Sequence, residues 1–90
     1  MKINWTKFKY SDLLVCYWSD IISTDAWTPQ EEAAKIEPLE CVSVGWLLNQ
    51  DGVVIRLAST IGDNDSVGGV IVIPKGVITG VKRVVYNRKI

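Results

Sequence analysis

The chain has 90 residues, 48% of them hydrophobic with four tryptophans, ten acidic and ten basic side chains, and no histidine. This bounds a single domain, residues 1–90, and excludes imidazole acid–base chemistry, Ser/His and Cys/His nucleophiles and histidine metal ligands together. A domain this small hides only part of its surface, so the apolar content points to a subunit or partner interface.

The N-terminal stretch MKINWTKFKY is too polar for a secretory signal. The longest apolar runs, LLVCYW and VGGVIVI, fall far short of the ~20 residues that cross a bilayer as a helix. A soluble, cytoplasmic protein without membrane contact is expected. Residues 13–22, LLVCYWSDII, are apolar, β-branched and aromatic and read as a first strand. In TPQEEAAKI, Thr28 is placed to cap a helix, Pro29 suits its first position and Glu31 completes a capping box. Pro38 ends that segment, which predicts a helix of about two turns.

Residues 39–49, LECVSVGWLLN, read as a long second strand, with Gly45 marking a sharp bend or a close backbone approach. Asp51-Gly52 between apolar runs is a hairpin signal, and 53–60 follows as the third strand. GDNDSVGG is a loop by composition. Asp63, Asn64 and Asp65 are oxygen donors there, but they do not follow the spacing of an EF-hand loop. The fourth strand is 69–73, GVIVI. Pro74, Lys75 and Gly76 interrupt the chain, and a fifth strand runs roughly over 79–86. Five short strands and one small helix are expected to form a strongly bent antiparallel barrel, with an open meander covered by the helix as the other possibility.

Cys16 and Cys41 lie in apolar runs and read as small buried hydrophobes, a disulfide between them remaining open. Asp12, Asp20 and Asp25 read as strand ends and turns, so no enzyme, cofactor or metal is expected. Most strand aromatics read as packing, with Trp5 and Trp27 as the more exposed pair because polar residues flank them. All ten acids fall between Asp12 and Asp65, while Lys75, Lys82, Arg83, Arg88 and Lys89 follow. This basic C-terminal quarter suits either a solvated surface or an anionic partner.

GVIVI shows no alternation and no charge. Such a strand at a sheet edge is an aggregation hazard unless covered or paired. Pairing it with another copy is a heterologous contact, which closes into a ring where the rotation permits. Val70, Ile71, Val72, Ile73 and Val81 are therefore the expected oligomer interface.

Two stretches resemble the signatures of the Sm and Sm-like RNA-associated proteins. In GWLLNQD, Gly45, Leu47 and Asp51 stand at the spacings of the first signature. Lys75-Gly76 followed by Ile78, Val81 and Val84 is similar to the second. The resemblance implies an Sm-like five-stranded barrel that assembles as a homo-oligomeric ring and binds RNA. Asp51, Lys75 and Gly76 would form the site, and Lys82 and Arg83 would hold phosphate. Ile55 stands where the family's uridine pocket has asparagine, Lys75 replaces an arginine, and the expected helix follows the first strand rather than preceding it. SVGWLL and VIPKGVI also look like phrases of small phage proteins. The alternative is thus a phage accessory or assembly protein whose ring engages other proteins without nucleic acid.

Overall fold

The computed structural model describes residues 2–87. Five strands form one antiparallel sheet: β1 (Leu13–Asp20), β2 (Leu39–Gln50), β3 (Val54–Ile61), β4 (Val67–Pro74) and β5 (Ile78–Val84). Their spatial order is β4-β3-β2-β1-β5. Each expected strand is present, with ends shifted by one or two residues. Where the sequence reading expected a barrel, the sheet is open, with β4 and β5 at its two edges.

The sheet nevertheless curls. A turn of 3₁₀ helix, Lys75–Val77, is all that joins the two edge strands. Gly45 lets β2 bend. A β-carbon on Gly45 would lie 2.9 Å from the Ala58 carbonyl oxygen and 3.0 Å from the Leu57 β-carbon. The close approach expected at this glycine is therefore between β2 and β3. Up to Trp46 the second strand pairs only with β1; from Trp46 to Gln50 it pairs with β3, across an irregularity between Leu47 and Asn49.

Leu14 and Cys16 of β1, Leu47 of β2, Ile55 and Leu57 of β3, Ile73 of β4 and Ile78 of β5 fill the inside of the curl with Phe8. Alternation that the sequence of β4 conceals is plain in space. Ile73 is 1% exposed and Ile71 packs against the core, whereas Val70 and Val72 are each 50% exposed. Both cysteines are free; Cys16 is buried, and desolvation raises its thiol pKa to about 11.

A second 3₁₀ turn, Trp5–Lys7, precedes β1. It lies in a stretch too polar to read as an element, and the Gln50 side-chain amide fixes it by donating to the carbonyls of Trp5 (3.0 Å) and Phe8 (3.2 Å). Trp5 is half-buried against the core, edge-on to Phe8 at 6.2 Å between ring centroids, and is not the exposed residue expected from its neighbours. Trp27 is fully exposed.

The helix between β1 and β2 is a single turn, α1 (Gln30–Ala33). The expected capping box does not form: the N-cap position is Pro29, and the Thr28 hydroxyl donates instead to the Ala26 carbonyl. Nucleating a helix costs more than one turn returns, and α1 buries no residue that would offset the cost.

The close approach makes a direct prediction. Gly45→Ala forces a β-carbon into backbone and should lower stability by about 1–3 kcal/mol. Gly52→Ala, which meets nothing within 4 Å, should change it by less than ~0.5 kcal/mol. Urea melts followed by tryptophan fluorescence compare the two.

Candidate functional site

Two turns meet at one end of the curl. The β2–β3 hairpin is held by Asp51, whose Oδ1 accepts from the backbone N–H of Val53 (2.7 Å) and of Val54 (2.9 Å). The corner between β4 and β5 joins it through the Lys75 N–H, which donates to the Val53 carbonyl at 2.7 Å. Trp5, Gln50, Asp51, Gly52 and Lys75 thereby line a shallow groove of about 290 Å³. Two of the three residues expected at the core of the site, Asp51 and Lys75, converge, with Gly76 next to Lys75 at the corner.

Each charged group in the groove has a partner already. Asp51 Oδ2 lies 3.7 Å from an Arg56 guanidinium nitrogen, and that guanidinium also donates to the Asn49 side-chain oxygen at 3.0 Å. The turn amides of Val54 and Val53, then Arg56 and Lys75, hold the Asp51 carboxyl below its ordinary range. Lys75 places its ammonium 4.7 Å from the Trp5 ring centroid, a cation–π contact.

The other two expected residues lie elsewhere and on opposite faces of β5. Arg83 lies over the Phe8 ring at 5.6 Å, pairs with Asp12 Oδ2 at 3.1 Å and donates to the Lys7 carbonyl. Its fork is occupied, so it ties β5 to the N-terminal segment. Asp12 is held below its ordinary pKa chiefly by the Lys9 backbone N–H and then by Arg83. Lys82 lies 6.0 Å from the Tyr17 ring centroid. Arg88 and Lys89 lie outside the described residues.

Of the expected interface, Val70 and Val72 face outward, while Ile71, Ile73 and Val81 face the core. Sequence reasoning missed Trp5 and Gln50 as members of the groove. Neither has a local signal, because contacts more than 40 residues away in sequence bring them there. Among the described residues no group of three or more His, Cys, Asp or Glu side chains is placed to hold a metal ion, and no helix is long and apolar enough to cross a membrane. Comparison with known proteins found no matching family model, no similar curated protein and no similar solved structure.

The depressed carboxyls predict how stability responds to acid. Asp12 and Asp51 favour the folded state when ionised; this contribution is present above their unfolded pKa, near 3.8, and is lost as the pH falls through the lower folded values. Urea midpoints measured from about pH 6 to about pH 2.5 should fall less steeply in Asp12→Asn than in the wild type. Identical acid limbs would show that the Lys9 amide and Arg83 add nothing to folding.

Proposed function

We propose that the chain is an assembly module of the Sm-like kind. Copies join by adding the β4 edge of one to the β5 edge of the next, and the ring works through protein contact, as a phage accessory or assembly protein in the host cytoplasm does. The observation that carries this reading is the pair of unpaired edges on one curled sheet. From Ser66 to Pro74 there is no charged residue, so β4 lacks the lysines and inward charges that blunt the edges of monomeric sheets. Val70 and Val72 add an outward apolar row beside that edge. Because the two edges differ, the contact is heterologous, and repeating it by a closing rotation gives a ring.

The signature positions support the Sm-like part of the reading. Gly45 packs against the β3 backbone, Leu47 is in the core, and Asp51 holds the hairpin turn. Lys75 and Gly76 make the corner, and Ile78 and Val81 enter β5 from it facing the core.

One observation favours the second reading, an RNA-associated ring: Asp51, Lys75 and Trp5 meet at one rim. A ring would present that rim once per subunit and so multiply a weak phosphate contact. The protein reading stands ahead of it on three grounds. Ile55, at the position of the family's pocket asparagine, is fully buried. Arg83 is committed to Asp12. The groove also holds a carboxylate that would repel phosphate.

Light scattering at tens of micromolar protein in about 0.5 M salt, where contacts between exposed charges are screened, should find a discrete oligomer for the wild type and a monomer for Val70→Lys/Val72→Lys, whose outward side chains leave the core untouched. A wild-type monomer refutes the assembly. For the RNA reading, fluorescence anisotropy with short U-rich and A-rich RNA at low salt should show binding that Lys75→Glu removes. No binding at low salt sinks that reading and leaves the assembly standing.

A further inference from the structure

The chain is neutral as a whole but divided in space. Six of its ten acids and one of its ten bases lie between Asp20 and Glu40, so this segment is net −5 and the rest of the chain net +5. The same segment stands off the body as an arm. Every residue from Ile21 to Glu40 except Thr28 is exposed. The radius of gyration is accordingly 16.5 Å, against about 12 Å for a compact chain of this length. The arm is not merely polar: Ile21, Ile22, Trp27 and Ile36 are all open to solvent, and the exposure of Trp27 is complete at 103%.

The body carries a complementary surface. A groove of about 390 Å³ runs beside β5, with Ile3, Phe8 and Tyr17 in its apolar lining and Lys2, Lys7 and Lys82 as its charges; no acid lines it. Among the described residues, neither these lysines nor the acids of the arm take part in an ion pair. Tryptophan is among the residues enriched in interface hot spots, and ammonium groups at a groove rim suit both its ring and nearby carboxylates.

We infer that this groove receives the arm of a second copy, with Trp27 as the anchor beside Phe8 and Tyr17 and with Asp25, Glu31 and Glu32 facing Lys2, Lys7 and Lys82. The β1–β2 ladder extends two residue pairs beyond the last β1–β5 pair, out to Asp20–Leu39, and carries the arm away from its own body. This contact goes beyond the strand-edge pairing proposed above and differs from it in kind. It is made by charged and aromatic side chains and weakens with salt, whereas the β4 edge is uncharged.

A charge swap tests it. Sedimentation equilibrium is run at low salt on Glu31→Lys/Glu32→Lys, which turns the three facing side chains of the arm from net −3 to net +1, and on Lys7→Glu/Lys82→Glu, which turns the three groove side chains from net +3 to net −1. Both are placed in the Val70→Lys/Val72→Lys background, so that loss of strand pairing is not read as loss of arm docking. In that background the parent should self-associate, each reversed protein alone should associate at least about tenfold more weakly, and their equimolar mixture should regain the parental affinity. Trp27→Ala should weaken association similarly with an unchanged far-ultraviolet spectrum. A parent that stays monomeric, reversed proteins that associate like the parent, or a mixture no tighter than its components overturns the inference. So does a Trp27 environment that is protected at every protein concentration, because the arm would then be folded on its own body.

Discussion

The connection between β4 and β5 is the constraint from which the rest of the fold follows. These strands are the two edges of a five-stranded sheet. Laid flat, they would stand about 19 Å apart, four spacings of ~4.8 Å. The 3₁₀ turn between them covers about 8 Å from Pro74 to Ile78 at ~2 Å per residue. Alternating antiparallel pairing also makes β4 and β5 run in the same direction in the unrolled sheet, so no hairpin can join them. The chain meets both conditions by turning a corner: the sheet curls until β5 continues from the end of β4 and returns to the far side of β1. Gly45 lets β2 pass within contact of the β3 backbone, where a β-carbon would clash.

The same corner explains the packing at the open end of the curl. It brings Lys75 onto Trp5, which meets Phe8 edge-on, and Arg83 lies over Phe8 and pairs with Asp12. This column, two rings between two cations, seats the N-terminal segment over the core. It also commits the charges that would otherwise be free for a ligand. The rim gathers Trp5, Asp51 and Lys75 and at the same time satisfies their charges internally. The edges of the sheet, by contrast, remain unsatisfied.

What the sequence disclosed depended on how local the signal was. All five strands, the hairpin at Asp51-Gly52, the tight spot at Gly45 and the corner at Pro74–Gly76 carry their cause within a few residues, and each is where the pattern put it. Closure of the sheet was not legible, because strand patterns do not encode how far a sheet's edges rotate toward each other. The Trp5–Lys7 turn escaped notice because Gln50 and Arg83 position it from afar. The capping box at Thr28 is a correct local signature without effect, since nothing packs on the helix it would start. In GVIVI uniform apolarity hid which side chains face inward. Two of the five expected site residues, Asp51 and Lys75, meet through turn chemistry that the sequence carries locally. The burial of Ile55 and the capture of Arg83 by Asp12 are tertiary facts that no spacing announces.

These features describe a small domain that is complete inside and incomplete at its borders. Its core is closed by the N-terminal segment, while among the described residues two strand edges stay unpaired and the acids of the arm take part in no ion pair. The central claim, that the two edges complete each other between copies, is tested most directly by native mass spectrometry of the wild-type protein over a range of concentrations. A closed ring predicts one stoichiometry that persists on dilution until it falls to monomer. A monomer at all concentrations, or an open-ended ladder of sizes, would contradict it.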